Sequence, residues 1–487
     1  MGRRGGGVEG SGVGRSTVQL GLRNIHAGGL ERFYALGMKG QIAPSDQSPH
    51  IRPSVYVTQG VPGVGGRLRE HLEDFIVEEV PLYQPTGEGE HVYLFLQKVD
   101  LSTSQLVQIV ARHFGVPIGA IGYAGLKDKR AITRQVISIH VPGRALEDFP
   151  SLQHDRVQVL WADMHANKLR RGHLKANRFA IKLRGIEIKG VINAKRVMDT
   201  LVRVGVPNRA GEQRFGYFAN NHLVGRAIVL GDAKAALDEL LLPKAPELYP
   251  GGTPDVSEVG AREAYGRDDF NAAFRLMPPG AAAEFEALRA LSRGATPERA
   301  VRAINATQRS FFISAFQSGV FNSVLDRRLI DGTLATILDG DLAYKHDSGA
   351  VFSVDALTAA DPETQRRAGA LEISPSGPNW GSRMTRASGR TLEVEIGALH
   401  AHGVREEDLL AYARRNPDSL DGDRRPLRVP LMYPDVEAGA DEYGLFIRCS
   451  FELPPGAFAT TVMQEIMKPA LGTRGAEELP ATTGDGA

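Results

Sequence analysis

Residues Ile121–Gln135 read IGYAGLKDKRAITRQ. The stretch from Ile118 to Ala124 is largely apolar and predicts a β-strand. The following segment VISIHV, Val136–Val141, alternates apolar and polar side chains and predicts a second strand. The charged loop GLKDKRA connects the two. The sequence therefore predicts a strand–loop–strand unit whose loop carries one carboxylate, Asp128.

Cations lie on both sides of this carboxylate along the chain: Lys127, Lys129, Arg130 and Arg134. Cations within about 4–6 Å favour the ionised form of a carboxylate. A nucleophile or general base must be ionised near neutral pH, and the same cations attract phosphate. On charge pattern alone, K-D-K-R is more often an ordinary solvated turn, so both interpretations stay open at this point.

Further segments predict the rest of a mixed fold. Short β-like patterns occur in FIVEEV (75–80), HVYLFL (91–96), RVQVL (156–160), NRFAIKL (177–183) and LFIRCSFEL (445–453). Apolar residues at three- and four-residue spacing predict helices from a cap at Ser102–Ser104 to Gly115, over 191–204 and over 310–330. Residues 232–297 predict short helices with loops, and SPSGPNWGS (374–382) predicts a turn-rich stretch.

Composition excludes several classes of protein. The chain has 487 residues, 58 Lys and Arg against 57 Asp and Glu, and 42% hydrophobic residues, enough for two to four globular domains. No apolar run reaches the roughly 18 residues of a membrane-spanning helix. Cys449 is the single cysteine, so an internal disulfide and a thiol metal cluster are both excluded.

Both ends of the sequence are rich in small and polar residues. We expect residues 1–55 to be a flexible leader and residues 471–487 to be a flexible tail. The early arginines are not followed by an apolar run of signal-peptide length, so the expected location is the cytoplasm. An organellar transit peptide is the alternative for the leader.

Cofactor and metal motifs are missing or poorly placed. The sequence has no GxxxxGK[ST] and no HExxH, and the GxGxxG spacing at Gly5–Gly10 has no strand before it. His400 and His402 could face one metal, but two histidines without a nearby third ligand are more typical of a surface. We therefore predict neither a cofactor nor a metal.

Residues 161–190 form a basic region in a chain that is balanced overall. Eight basic residues stand against Asp163 and Glu187, a local charge of about +6. The basic residues are Lys168, Arg170, Arg171, Lys175, Arg178, Lys182, Arg184 and Lys189. This region is a plausible track for an RNA backbone, and the alternative is a basic loop on a solvated face.

The segment GYAGLKDKRAITRQ closely resembles the signature of the TruD family of pseudouridine synthases, in which the aspartate of G-x-K-D-x-x-A-x-T-x-Q is catalytic. Other segments resemble the family in the same order, between about Arg67 and Lys468. They are EDFIVEE with PTGEGEH, LRRGHLKANRFAIKLR, GVPNRAGEQRFG, FQSGVFNSVL and LPPGAFATTVMQEI.

The resemblance implies an α+β fold. The pseudouridine synthase catalytic domain, a mixed and mostly antiparallel sheet with flanking helices, would occupy residues 56–234 and 429–470. An inserted α/β TRUD domain would occupy residues 235–428, and the two domains would form a basic cleft for RNA.

The resemblance also implies the reaction: isomerisation of uridine, in bacterial members uridine 13 of tRNA, to pseudouridine without a cofactor. Asp128 would be catalytic. The residues assigned to substrate binding are Phe75, Asn208, Phe458, Arg69 and Lys127. The residues assigned to the RNA backbone are Lys168, Arg170, Arg171, Lys175 and Arg178. On their contexts alone, the two phenylalanines are typical core residues and the asparagine is a typical turn residue.

Two departures from the family pattern bear on activity. Arg209-Ala210 stands where typical members carry an aromatic residue, so a stacking surface near the uracil is expected to be missing. Arg69 stands where bacterial members carry lysine, which keeps the charge but changes its geometry. The alternative function is therefore a tRNA-binding chaperone with reduced or lost catalysis.

A hydrolase acting on a glycosidic bond is a further rival. Such enzymes usually pair two carboxylates, and Glu212 is the nearest candidate partner for Asp128 by motif. The expected partner is tRNA, with other RNAs open. Neither a membrane nor a protein partner is predicted, and the chain is expected to be a monomer.

Overall fold

A computed structural model describes residues 55–245, 248–249, 255–417 and 420–468. The predicted tail and, apart from Val55, the predicted leader lie outside these residues. The described strands are β1 (Phe75–Pro81), β2 (His91–Val99), β3 (Ile121–Tyr123), β4 (Ile132–His140), β5 (Val157–His165), β6 (Leu174–Arg184), β7 (Val206–Pro207), β8 (Leu342–Lys345), β9 (Val351–Ser353), β10 (Ile373–Asn379), β11 (Asp423–Pro426), β12 (Arg428–Val429), β13 (Met432–Asp441) and β14 (Gly444–Leu453).

Helices connect and cover these strands. They are α1 (Thr103–Phe114), α2 (Val191–Val204), α3 (Glu212–Phe215), α4 (Asn221–Leu230), α5 (Ala233–Leu241), α6 (Val256–Gly266), α7 (Phe270–Leu276), α8 (Ala282–Leu291), α9 (Pro297–Ala303), α10 (Ala306–Ile330), α11 (Ala356–Ala360), α12 (Pro362–Gly369), α13 (Gly389–Ala401), α14 (Glu406–Arg415) and α15 (Ala459–Met467). The predicted helices over 191–204 and 310–330 are confirmed, the latter starting four residues earlier.

The larger sheet has eight strands in the order β13-β14-β6-β1-β4-β2-β5, with β3 paired to β4. β1 and β4 run parallel, and the other described pairs in this sheet are antiparallel. The β-like segments of the sequence analysis all lie in this sheet. A mixed, mostly antiparallel sheet with flanking helices confirms the predicted α+β fold class.

Helices bury the sheet in two apolar clusters. One cluster contains Leu106 and Val110 of α1 together with Leu94 of β2 and Ile137 of β4. The other cluster joins residues of β1, β6 and β14 to α2 and α15, with Phe75 among its members. α1 packs on the sheet beside β4. The loop that precedes β4 is hydrogen-bonded to the first turn of α1.

The middle of the chain forms a separate set of elements. It contains helices around an apolar cluster and an antiparallel sheet in the order β11-β10-β8-β9. β7 pairs with β12, which places Val206 opposite Val429 and so brings together parts of the chain that precede and follow these elements. The boundaries 56–234, 235–428 and 429–470 stay a prediction.

The prediction of a turn-rich stretch over 374–382 is wrong, because β10 is a buried central strand. Its two prolines, Pro375 and Pro378, cannot donate backbone hydrogen bonds, which is unusual for a central strand. Buried side chains bond to this strand instead: Arg424 donates to Ser376 O at 2.7 Å, and Arg428 donates to Ser374 Oγ at 3.2 Å. Contacts from distant residues thus override the local turn pattern.

The predicted strand from Ile118 to Ala124 is also shorter than expected. Ile118–Ala120 forms a 3-10 turn after Pro117, and the strand covers only Ile121–Tyr123. None of the described helices has both the length and the apolar character needed to cross a membrane.

Candidate active site

Asp128 lies in the loop between β3 and β4, as predicted. α1 anchors this loop. Thr103 Oγ1, in the first turn of α1, accepts a hydrogen bond from Lys127 N at 3.0 Å. Ala131, at the end of the loop, is fully buried and its carbonyl accepts from Asp100 N at 3.3 Å. These contacts fix the backbone on both sides of Asp128.

Arg69 contacts the Asp128 carboxylate. Arg69 Nη2 donates to Asp128 Oδ2 at 3.0 Å, and the two side chains are 18% and 33% exposed. The Arg69 guanidinium carbon also lies 4.1 Å from the ring centroid of Phe75. Arg69 has a φ of 59°, a conformation that costs a non-glycine residue roughly 1 kcal/mol. The structure thus brings together Asp128, Arg69 and Phe75.

Two of the cations near Asp128 in the sequence, Lys127 and Arg134, pair with carboxylates of β1. Lys127 Nζ donates to Glu79 Oε2 at 2.7 Å, and both of these side chains are buried. Arg134 donates to Glu78 Oε2 at 2.9 Å. Lys127 therefore anchors the loop to β1, and the carboxylate's described partner comes from a residue distant in sequence. The pattern K-D-K-R alone did not indicate this.

Lys98 is a functional candidate that the sequence reasoning missed. It lies on β2 and is fully buried, and its Nζ donates to Asp128 O at 2.9 Å and to Leu101 O at 2.5 Å. Burial lowers the pKa of Lys98 to about 8, while the nearby Asp128 charge opposes that shift. A lysine inside the strand pattern HVYLFLQKV was the one available signal.

Asn208 lies in a second group of predicted site residues. It is 6% exposed, and its side-chain amide donates to Pro426 O at 2.9 Å while Oδ1 accepts from Arg425 Nη2 at 2.6 Å. The same Arg425 nitrogen donates to Gly456 O at 3.1 Å. Burial and the neighbouring Arg214 lower the pKa of Arg425 to about 10. Arg425, also missed from sequence, joins two of the family-like segments: GVPNRAGEQRFG (205–216), the second motif, and LPPGAFATTVMQEI (453–466), the closing motif.

Phe458 is close to the second motif. A Cβ atom at Gly211 would lie 3.4 Å from Thr460 Oγ1 and 4.0 Å from Phe458 Cγ, so these two motifs are in near contact. Phe458 is half-buried at the start of α15. Phe75, by contrast, is 1% exposed and packs edge-on against Phe179. A base could reach the covered face of Phe75 only if Arg69 moved.

The second motif is held by α10 of the middle segment. Asn322 Oδ1 accepts from Ala210 N at 3.0 Å, and Asn322 Nδ2 donates to Ala210 O at 3.1 Å. Arg209 forms a buried ion pair with Asp326. Ala210 is 3% exposed and packs with Phe215. Neither residue of Arg209-Ala210 therefore presents an exposed surface.

Part of the predicted RNA track lies against the strand that leads into the Asp128 loop. Lys168 Nζ donates to Gly119 O at 2.5 Å, and Arg171 Nη2 donates to Tyr123 Oη at 2.8 Å. Arg170 and Lys175 are exposed. This arrangement places a basic surface with an aromatic ring beside the carboxylate loop.

Other members of the basic region are neutralised within the protein. Arg178 pairs with Glu78 and Glu452 at 3.1 and 2.7 Å. Arg184 is buried and pairs with Asp74 and Asp441. Hydrogen bonds from Arg184 and Lys182 hold the pKa of Asp441 well below its usual range. Lys189 pairs with Glu187. The exposed charge is therefore smaller than the sequence count indicates.

The described part of the chain contains no group of three or more His, Cys, Asp or Glu residues placed to hold a metal ion. His402 Nε2 lies 2.9 Å from Ser323 Oγ, and His400 is an exposed residue near the end of α13. The carboxylate of Asp128, one-third exposed and held by Arg69, is thus the described group best placed for nucleophilic or basic chemistry.

Comparison with known proteins gives matches over most of the chain. Residues 51–466 match the family model described as TruD, tRNA pseudouridine synthase D. The tRNA pseudouridine synthase D of Geobacter metallireducens is 40% identical over 416 residues, which are 85% of this chain and 97% of that protein. A protein of the same name from Thermus thermophilus is 36% identical over 422 residues, 86% of this chain and 94% of its own length.

A solved structure shows the same fold. The crystal structure of a Methanosarcina mazei protein assigned to TruD superposes with a TM-score of 0.72 at 29% sequence identity. The superposition covers 87% of this chain and 98% of the other.

Proposed function

The chain belongs to the TruD family of tRNA pseudouridine synthases, and from this premise we propose that it isomerises uridine in tRNA to pseudouridine with Asp128 as the catalytic carboxylate. The observation that carries the proposal is the placement of Asp128. Its loop is anchored to α1 and β1, and one carboxylate oxygen accepts from Arg69. A fixed, ionised and accessible carboxylate is what the reaction requires.

The reaction breaks the N1–C1′ bond of the uridine, rotates the uracil and forms a C5–C1′ bond. C5 loses its proton and N1 takes one up, so atoms and electrons balance without an oxidant or a reductant. Asp128 acts on the ribose, either by attacking it or by removing a proton from it. Arg69 orients the carboxylate through a charge-assisted hydrogen bond during either step.

Access to the carboxylate requires that the target nucleotide leave the base stack. Extrusion costs a few kcal/mol in a duplex and less in a loop. We assign uridine 13 of tRNA, the target of bacterial members of the family, as the site. Asn208 and Phe458 border the uracil in this proposal, with Phe75 and Lys127 supporting Arg69 and the loop. We also propose that the protein is located in the cytoplasm and that it is a monomer.

The test is tritium release from tRNA that carries uridine labelled at C5. The wild-type protein should release tritium, and the modified position, mapped by reverse transcription after carbodiimide treatment, should be uridine 13. The Asp128→Asn variant should release none, while its affinity for tRNA stays within about threefold, because the phosphate contacts remain. Turnover by Asp128→Asn at the wild-type rate would exclude the assignment.

A matched control is available just beyond α10. Asp331 pairs with Arg327 at 2.8 Å, and its side chain is 36% exposed, close to the exposure of Asp128. Asp331→Asn removes a similar ion pair away from the carboxylate loop and should leave turnover unchanged. Tight tRNA binding by wild type without tritium release would support the chaperone alternative.

A further inference from the structure

We propose that Lys98 is a positioning residue for Asp128, acting through the backbone of the carboxylate loop and through its own charge. The inference rests on the proposed function, because it concerns a reaction in which Asp128 takes part. Lys98 lies on β2 opposite Thr133 of β4, so its side chain starts from the sheet beneath the loop.

The geometry of Lys98 joins three parts of the site. Its Nζ donates to Asp128 O at 2.9 Å and to Leu101 O at 2.5 Å. Leu101 precedes α1, whose Thr103 accepts from Lys127 N. Lys98 therefore ties the backbone of the catalytic residue to the end of β2 and to the helix that anchors the preceding loop residue, Lys127.

The charge of Lys98 is unusual for its position. Removing an ammonium group from water is costly, and buried charges are normally paired with an opposite charge. Both described acceptors of Lys98 are backbone carbonyls, and its side chain is fully buried. The ionisable groups that act on it are Asp128 and Asp100, which favour its charge, and Lys127, which opposes it.

Lys127 has a carboxylate of its own, Glu79, at 2.7 Å. Among the described contacts of Lys98, the hydrogen-bond acceptors are the carbonyls of Leu101 and Asp128, and none is a carboxylate. The positive charge of Lys98 therefore acts on the loop that carries Asp128. Such a charge strengthens the hydrogen bond to the Asp128 carbonyl and holds the loop in place beside β2. An apolar residue at this position would keep the packing but lose both effects.

The test compares Lys98→Met with the same change at a half-buried lysine elsewhere. Lys244, which follows α5, donates to Glu239 O at 2.6 Å, and burial lowers its pKa to about 8 as well. Lys244→Met therefore removes a comparable ammonium outside the site. Lys98→Met should reduce the single-turnover rate at least about tenfold relative to Lys244→Met, with tRNA affinity within about threefold.

The pH dependence separates a catalytic effect from a structural one. The pKa of Lys98 in the folded protein, about 8, is below that of an unfolded lysine. Its deprotonation at alkaline pH consequently does not destabilise the fold. The wild-type single-turnover rate should fall as pH rises through about 8 while the circular dichroism stays native. Lys244→Met should keep this fall, and Lys98→Met should lose it.

Two results would overturn the inference: a Lys98→Met rate equal to that of Lys244→Met, or a wild-type rate that stays flat from about pH 7 to about pH 9.5. The second measurement decides the matter if Lys98→Met does not fold. Wild type without tritium release, or an active Asp128→Asn, would instead exclude the proposed function. An active wild type, an inactive Asp128→Asn and a fully active Lys98→Met would exclude only the role of Lys98.

Discussion

Asn322 forms hydrogen bonds to both backbone groups of Ala210, accepting from its N–H at 3.0 Å and donating to its carbonyl at 3.1 Å. The two residues are 112 positions apart, one in the second motif and one in α10. The position at which typical family members carry an aromatic residue is therefore enclosed by protein in this chain.

Ala210→Phe should destabilise the protein rather than restore a stacking surface. The alanine is 3% exposed and packs against Phe215, and overpacking a site of this kind costs about 1–3 kcal/mol. Urea unfolding should show a lower midpoint, and single turnover should not accelerate. Ala360→Phe, at the exposed end of α11, provides the control. Faster turnover with unchanged stability would mean that position 210 faces the substrate.

Arg69→Met should slow the chemical step by roughly 10–100-fold, because a hydrogen bond to a charged group contributes about 1.5–3 kcal/mol. Arg69→Lys should be intermediate, since it keeps the charge but not the planar stacking on Phe75. Single-turnover rates at saturating enzyme measure both effects. Arg327→Met, which disrupts an exposed pair with Asp331 at 2.8 Å, should have little effect, and an equal decrease there would contradict the prediction.

The sequence predicted β1, β2, β4, β5, β6 and β14 because each has a clear local pattern of β-branched and aromatic residues. It placed Asp128 in a loop between strands for the same reason. It did not predict the edge strand β13, whose sequence MYPDVEAGAD lacks such a pattern. It misjudged β10 because that strand depends on Arg424 and Arg428, which bond to a proline-containing segment from distant positions.

The electrostatic environment of Asp128 was less predictable than its position. The basic residues next to Asp128 in the sequence were expected to be the cations around it. In the structure, Lys127 pairs with Glu79, and Arg69, 59 residues away in the sequence, contacts the Asp128 carboxylate. The register between strands decides which charged side chains come into contact, and the local patterns of one sequence do not show that register. The buried Lys98 and the half-buried Arg425 were missed because their partners are backbone carbonyls and an amide, which leave no charge pattern.

Arg425→Met should reduce kcat/KM at least about tenfold. Its guanidinium holds Asn208 through Oδ1 and the backbone carbonyl and also bonds to Gly456, so its removal frees both motifs that border the proposed uracil pocket. Arg383→Met, which removes an exposed pair with Asp421 at 2.6 Å, is the comparison. Equal kcat/KM for the two variants would show that the orientation of Asn208 does not matter.

Charge reversal on the exposed basic surface should change the salt dependence of tRNA binding, whereas neutralising an internally paired cation should change it less. The slope of log K against log salt falls by roughly 0.7–0.9 for each phosphate that the protein no longer neutralises. Arg170→Glu should therefore flatten the slope. Arg178→Gln should alter it less, because Glu78 and Glu452 already pair with that side chain. Binding titrations between about 50 and 200 mM salt measure the slopes. Equal changes for the two variants would place the RNA track beyond Arg170.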